Sequence, residues 1–181
     1  MNSSIEYMFR RLPEVKTVLD VGIGAGEPVA YLVRTRPIHL TGIEIWEPFV
    51  KRVQKLYDRI IVGDAVKILT EMGTNSFDAV LLLDVIEHQE RVNAFKLIAE
   101  AERVGKFVMV AGPNRFYPLW ADEGNPYQIH HCVVHSWEMK KMGYGVRGTS
   151  FANILPVFKS LRLFPHINTR WLAWKNTEGV K

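Results

Sequence analysis

LDVGIGAGEPVAYL, residues 19–32, joins an apolar run to three closely spaced glycines. The run reaches Asp20, and Gly22, Gly24 and Gly26 follow at alternate positions. Because glycine weakens both strands and helices, this spacing indicates a turn that something must approach closely. We predict a strand, then a glycine loop with exposed backbone N–H groups, and then the start of a helix.

The glycine spacing differs from that of two other nucleotide-binding loops. It reads G-x-G-x-G, whereas dinucleotide-binding folds use G-x-G-x-x-G, in which the third glycine lets the helix pack closely on the strand. It also lacks the G-x-x-x-x-G-K-S/T pattern of the P-loop. An NAD-dependent oxidoreductase and a phosphate-cradling P-loop are therefore both disfavoured.

Short apolar runs alternate with segments of helical period through the first two thirds of the chain. The runs typical of buried strands are residues 17–21, 38–45, 59–64, 77–85 and 106–114. The helical patterns cover residues 27–34, 47–59, 65–72 and 90–103. In the last of these helices we expect Val92, Phe95 and Ala99 to face inward. This alternation predicts a parallel sheet with helices on both faces.

The last third of the chain has a different character. Residues 113–135 are rich in proline, asparagine, histidine and aromatics without a clear period, which is typical of a functional loop. Ser136 is a candidate N-cap for a short helix over residues 137–143. Two further strands are predicted at residues 144–151 and 169–175, and we expect them to form an antiparallel edge of the sheet.

Composition and charge narrow the class of protein. The chain has 181 residues, 48% of them hydrophobic and 23% charged, as expected for one globular domain. The net charge of +4 is spread along the chain, so it permits an anionic partner such as RNA without requiring one. Cys132 is the only cysteine, which excludes an intrachain disulfide and favours a reducing compartment.

Two further sequence features bear on localisation. The longest apolar stretch carries aspartates and is shorter than the ~20 residues of a membrane span. The N-terminal residues lack the apolar region of a secretory signal. We therefore expect a cytoplasmic protein without a membrane partner.

Two acids follow successive predicted strands. Glu44 ends the second strand, where a carboxylate accepts hydrogen bonds from ribose hydroxyls, and Asp64 follows the third, where it can meet an exocyclic amine. Each acid also has a structural explanation, since Asp64 suits a helix N-cap and Glu44 a solvated surface. Their occurrence in strand order behind the glycine loop favours a nucleoside site.

Four motifs in order carry a family resemblance. VLDVGIGAG, LTGIEI, IIVGDA and FDAVLLLDVIEH lie within about residues 15–112 and together resemble the class I S-adenosylmethionine-dependent methyltransferases. The resemblance implies an α/β, Rossmann-like three-layer sandwich with a mostly parallel seven-stranded sheet in the order 3-2-1-4-5-7-6. Strand 7 would be antiparallel, and TRWLAWK is the candidate for it. We expect a single domain over residues 1–181, with the substrate-side loops and edge strands at about 113–181.

The resemblance implies S-adenosyl-L-methionine as the cofactor and assigns residues to it. The glycine motif begins at Asp20, Glu44 matches the ribose-binding acid, and Asp64 matches the residue beside adenine. Asp84 matches the position that faces the methionine portion and the transferred methyl. Ile23 stands where small polar residues or cysteine are common in the family. The predicted cofactor-binding residues are Asp20, Gly22, Ile23, Gly24, Gly26, Glu44, Ile45, Asp64, Ala65 and Asp84.

The acceptor side is less determined. The candidate catalytic residues are Asp84, better placed as a cofactor contact than as a base, His88, and His130 of the segment QIHHCVVHSW. The histidines and Cys132 of HHCVVH are zinc-ligand types, but adjacent histidines in a strand point to opposite faces, so we predict no metal. The predicted substrate-binding residues are Asn114, Arg115, Tyr117, Tyr127 and His131.

The resemblance therefore implies a methyltransferase, and we expect its acceptor to be a small molecule. Methylation of RNA is an alternative suggested by the basic pI of about 9.2 and the aromatic loop. A methyltransferase-like binding module without turnover is another. The sequence leaves the oligomeric state open between a monomer and a homodimer.

Overall fold

The computed structural model describes residues 15–24, 26, 29, 37–116, 118, 124–149 and 170–178. The predicted helix over residues 27–34 lies outside the described residues except for Val29. The described strands are β1 Thr17–Val21, β2 His39–Glu44, β3 Arg59–Val62, β4 Phe77–Leu83, β5 Gly105–Pro113, β6 Gly145–Gly148 and β7 Arg170–Asn176. The described helices are α1 Glu47–Val53, α2 Ala65–Glu71, α3 Arg91–Val104 and α4 Ser136–Lys141.

The seven strands form one sheet in the order β3-β2-β1-β4-β5-β7-β6. The neighbours from β3 to β5 are parallel, whereas β7 runs antiparallel to both β5 and β6. The predicted fold class, strand order and direction of strand 7 are confirmed. In this topology the carboxyl ends of β1 to β5 meet at one edge, where open α/β sheets bind their ligands.

Both faces of the sheet are covered, as the continuous apolar runs predict. Neighbouring residues of one strand enter two different cores: Leu19 packs with α2 and α3, whereas Val18 packs with Val53 of α1. The same alternation holds in β4, where Val80 joins the first core and Leu81 the second. Two apolar cores therefore hold the sheet edge in place from both sides.

The first described helix is shorter than predicted. The pattern over residues 47–59 predicts one helix, but α1 ends at Val53 and a 3-10 turn covers Gln54–Leu56. Tyr57 then adopts an extended backbone and buries its side chain, because the chain must return to the sheet at β3. This break brings the Tyr57 hydroxyl to the carboxyl end of β1.

The prediction for the buried face of α3 is wrong in two of three residues. Val92 is 79% exposed and Ala99 is also exposed, while Phe95 is half-buried. The buried stripe instead has the helical spacing of Ala94, Leu97, Ile98, Ala101 and Val104.

The helix α4 begins one residue earlier than predicted. Its N-cap is His135, whose backbone N–H donates to the Glu138 carboxylate at 2.8 Å. Ser136 is the first residue of the helix and not its cap, so the cap prediction is wrong. The backbone N–H of Ser136 donates to the side-chain oxygen of Asn114 at 3.1 Å. Among the described residues, no helix has both the length and the apolar character needed to cross a membrane.

Trp171 of β7 ties the loop after β5 to the sheet. Its indole N–H is shared between the carbonyl oxygens of Pro113 at 3.1 Å and Val134 at 3.0 Å. The side chain is 1% exposed. Strand β7 therefore anchors the polypeptide that brings the histidines of residues 130 and 131 over the carboxyl edge.

Candidate functional site

A cavity of about 600 Å³ opens at the carboxyl edge of the sheet. The predicted residues come from four strand ends and the loop after β5, yet all of the cofactor residues and four of the acceptor-side residues share this one cavity. The predicted residues that line it are Asp20, Gly22, Ile23, Gly24, Gly26, Glu44, Ile45, Asp64, Ala65, Asp84, His88, Tyr127, His130 and His131.

The glycine loop has the backbone that its sequence predicts. Gly22 has a φ of 72°, and a Cβ there would lie 2.5 Å from Cγ2 of Val85. Gly24 has a φ of 54°, but a Cβ there would meet nothing within 4 Å. Residue 22 must therefore be a glycine, because the Val85 side chain, just after β4, packs directly against it. Open space lies over the main chain at Gly24, where a ligand can approach.

Glu44 is buried and fixed by three backbone amides. One carboxylate oxygen accepts from Gly24 at 3.0 Å, and the other accepts from Ile45 at 2.9 Å and Trp46 at 2.8 Å. The residue is 6% exposed, so its alternative explanation as a solvated surface group is excluded. A carboxylate can accept about four hydrogen bonds, which leaves Glu44 capacity for a ligand hydroxyl.

Asp20 lies beneath the glycine loop. Its carboxylate accepts a hydrogen bond from the Tyr57 hydroxyl at 2.6 Å, and the same hydroxyl lies 3.4 Å from the Gly26 carbonyl oxygen. Burial raises the pKa of Asp20 from 3.8 to about 7, and the nearby Glu44 charge adds to this rise. Burial and the Asp20 charge also raise the pKa of Tyr57. Asp20 and Tyr57 thus support the loop from inside the protein.

Asp64 caps a helix and also lines the cavity, so its position fits both of the roles considered for it. One oxygen caps α2 by accepting from the Lys67 backbone N–H at 3.0 Å, so the N-cap explanation is confirmed. The residue also lines the cavity. Because the cap uses one lone pair of one oxygen, the carboxylate keeps acceptor capacity toward a ligand amine.

Asp84 adopts a left-handed backbone, with a φ of 57°, directly after β4. Its N–H donates to the Ala111 carbonyl at 3.1 Å, and its carboxylate forms an ion pair with Arg170 at the start of β7. A non-glycine residue held in this conformation is a feature that clusters at functional sites. Arg170 also lines the cavity, and the sequence prediction did not include it.

Glu87, His88 and His130 meet in the lining of the cavity. We call this part of the lining the acceptor end, because His88 and His130 are the predicted catalytic residues. The imidazole centroids are 4.8 Å apart in an edge-to-face arrangement. Burial lowers the pKa of His88, against the opposing effect of the backbone carbonyl of Ile129. Glu87 is 2% exposed, and burial raises the pKa of its carboxyl to about 7. An imidazole beside a buried carboxyl can accept a proton or bind a cation.

The predicted substrate residues divide into three groups. Tyr127 and His131 line the cavity, with Tyr127 edge-on to Trp46 at 6.2 Å between ring centroids. Asn114 and Arg115 are not among its described lining residues, since Asn114 is buried against α4 and Arg115 is exposed. Tyr117 lies outside the described residues.

The cavity fits a nucleoside cofactor carrying a positive charge. Glu44 and Asp64 offer carboxylate oxygens for hydroxyl and amine donors, Ile23 and Ile45 offer apolar walls, and Gly24 leaves space against the main chain. The described lining residues include six acidic side chains but one arginine, Arg170, and no lysine. Arg170 neutralises Asp84, and the raised pKa values of Asp20 and Glu87 leave these carboxyls partly protonated at neutral pH. The lining still has more acidic than basic groups, which favours a sulfonium cation.

A protein-family model described as a methyltransferase domain matches residues 19–107, from β1 to β5. The matched segment contains the glycine loop together with Glu44, Asp64 and Asp84. It therefore covers the cofactor side of the cavity and ends before the loop that carries His130.

Several solved structures share the fold. A S-adenosylmethionine-dependent methyltransferase from Archaeoglobus fulgidus is 16% identical, with 96% of this chain and 93% of that chain covered and a TM-score of 0.63. One from Aquifex aeolicus is 18% identical, with coverages of 93% and 87% and a TM-score of 0.57. The plantazolicin methyltransferase, in complex with S-adenosylhomocysteine and a triazolic analogue, is 16% identical, with coverages of 96% and 82% and a TM-score of 0.62.

The raised pKa of Asp20 predicts a pH-dependent stability. The folded protein holds this proton up to about pH 7, whereas the unfolded chain releases it near the ordinary value of 3.8. Stability should therefore fall as pH rises between these values, by at most about 1.4 kcal/mol per pH unit, and level off above them. Urea denaturation from pH 5 to 8 should show that Asp20→Asn removes this component. Parallel profiles of the two proteins would contradict the assignment.

Proposed function

We propose that the chain, whose residues 19–107 match a methyltransferase domain, is a class I S-adenosylmethionine-dependent methyltransferase that methylates a small molecule bound beside His88 and His130. The observation that carries this proposal is the shared cavity, which is lined both by the glycine loop and by the Glu87, His88 and His130 side chains. A volume of about 600 Å³ is in the range of small-molecule sites.

S-adenosylmethionine supplies a methyl group already activated by its sulfonium, so the task of the protein is to position the acceptor and exclude water. In our proposal Glu44 accepts from a ribose hydroxyl, and Asp64 accepts from the adenine amine. The open main chain at Gly24 lies against the nucleoside, and Asp84 faces the methionine portion. Asp20 acts indirectly, because its bond to Tyr57 holds the loop in shape.

The acceptor groups complete the proposal. His88 and His130 are the candidates for taking a proton from the acceptor as the methyl is transferred. The lowered pKa of His88 keeps its imidazole neutral and able to accept at neutral pH. Arg170 and Asp84 also line the cavity, and their ion pair holds Asp84, with its left-handed backbone, in place directly after β4.

The charge of the cavity favours a small molecule over RNA. The acidic described residues in its lining are Asp20, Glu44, Asp64, Asp84, Glu87 and Glu90. RNA binding depends on neutralising phosphates with lysine and arginine, and a lining with six acids and one arginine opposes it. The likeness to a methyltransferase solved with a triazolic ligand also supports a small acceptor.

S-adenosylhomocysteine should raise the melting temperature of the protein, and NAD should not. Asp64→Asn keeps an oxygen for the cap of α2 but replaces an acceptor with an amine donor. We expect this variant to retain its fold and to bind S-adenosylhomocysteine about tenfold more weakly, as for one lost charged hydrogen bond. Glu47→Gln, at an exposed position of α1, is the matched control. Equal stabilisation of all three proteins would overturn the adenine assignment.

Transfer of a labelled methyl group tests the acceptor class. The protein is incubated with methyl-labelled S-adenosylmethionine and either total RNA or a low-molecular-weight cell extract. We expect label in products of the small-molecule fraction and a loss of that label of at least 100-fold in His88→Asn, in line with the contribution of a general base. Label in RNA, lost with rising salt, would establish the RNA alternative instead. Cofactor binding without label in either fraction would favour the non-catalytic module.

A further inference from the structure

Glu87, His88 and His130 converge from two segments of the chain. Glu87 and His88 lie on the 3-10 turn Ile86–His88, and His130 follows the turn Pro126–Gln128. One ligand atom from each side chain lies within 4.8 Å of the other two. Two imidazoles and a carboxylate are a common ligand set for divalent transition metals.

The Glu87 side chain gives evidence for a bound ligand that does not depend on the spacing of the three ligand atoms. Its residue is 2% exposed, and its Oε2 has no hydrogen-bond partner among the described residues. An unpartnered buried carboxylate oxygen costs stability, so native proteins supply a partner for it. Because Glu87 lines the cavity beside the two imidazoles, a cation held between the three side chains would supply that partner.

The surrounding backbone fixes the orientation of this cluster. Nδ1 of His88 lies 3.3 Å from the Ile129 carbonyl oxygen, and a contact with a carbonyl places the ring proton on Nδ1. In the neutral ring the lone pair is then on Nε2. A backbone carbonyl at the second ring nitrogen is the usual way in which proteins orient a metal-binding histidine.

The His130 segment is held against Glu87 in the same way. The Glu87 carbonyl oxygen accepts from the His131 N–H at 2.9 Å and from the Cys132 N–H at 3.3 Å. His131 turns away from the cluster toward Glu90, with 3.4 Å between Nδ1 and the carboxylate. The two adjacent histidines therefore diverge, as the sequence predicts, and His130 is the one beside Glu87 and His88.

We propose that Glu87, His88 and His130 bind a divalent transition-metal ion such as Zn²⁺ or Mn²⁺ at the acceptor end of the cavity. Two imidazoles favour such ions over Mg²⁺, which prefers oxygen ligands. A tetrahedral site places its ligand atoms about 3.4 Å apart, so small side-chain rotations must close the present spacing. Three protein ligands leave one coordination position open, as in catalytic metal sites.

The open position suits an oxygen or nitrogen atom of the acceptor, which the ion would hold and polarise. With the ion bound, the lone pairs of His88 and His130 are occupied, so the ion and not these imidazoles would promote loss of the acceptor's proton. This part of the inference rests on the proposed function. Binding of the ion itself does not, because the site uses none of the residues assigned to the nucleoside. The two can therefore fail separately.

Titration with Co²⁺ tests the site directly, because a bound Co²⁺ ion absorbs in the visible range according to its ligands. The full-length protein is first freed of metal with a chelator. We expect one equivalent of Co²⁺ to give the absorption bands of a site with nitrogen and oxygen ligands, and Zn²⁺ to displace it. Glu87→Gln and His130→Gln should each weaken binding at least tenfold, whereas His131→Asn should bind as the wild type does.

The folded state of each variant is checked by its melting temperature and by its stabilisation with S-adenosylhomocysteine. Absence of the Co²⁺ bands in a wild-type protein that binds S-adenosylhomocysteine would overturn the metal site and leave the proposed function in place. Loss of the bands in His131→Asn but not in folded His130→Gln would also overturn it. Co²⁺ binding by a protein that does not bind S-adenosylhomocysteine would support the metal site and count against the proposed function.

Discussion

The buried carboxylate of Glu44 is the interaction on which the candidate site depends. It accepts from Gly24 in the loop after β1 and from Ile45 and Trp46 after β2, so one side chain joins the exits of two strands. A buried carboxylate needs such donors because its desolvation is costly without them. The loop can then stay open over Gly24 without collapsing onto the sheet. The residue that shapes the loop is thus also the one proposed to bind the ribose.

The rest of the cavity extends this arrangement along the edge of the sheet. Asp20 and Tyr57 support the loop from below, and the ion pair of Asp84 with Arg170 holds the exit of β4. The acceptor end combines the 3-10 turn after β4 with the loop after β5, which Trp171 anchors. The two sides of the cavity are therefore formed differently. The cofactor side is formed by strand ends and the turns that follow them, whereas the acceptor side depends on contacts between segments that are distant in sequence.

This difference explains what could be predicted from the sequence. Strand positions, their order and the glycine loop follow from local patterns and the family resemblance, and the structure confirms the predicted fold. The ends of α1, the buried face of α3 and the cap of α4 depend on tertiary packing, and their predictions were wrong. Arg170 was missed because its pairing with Asp84 spans 86 residues and requires the antiparallel placement of β7 beside β5. The sequence did offer one signal for Arg170. It is a charged residue at the start of the strand that was expected to run antiparallel beside strand 5.

A crystal structure of the protein with S-adenosylhomocysteine would show directly whether Glu44 binds the ribose. We expect electron density for the nucleoside over Gly24, with a ribose hydroxyl within hydrogen-bond distance of the Glu44 carboxylate, which keeps its bonds to the backbone. Density for the ligand at another place, or a ribose that leaves Glu44 untouched, would contradict this expectation.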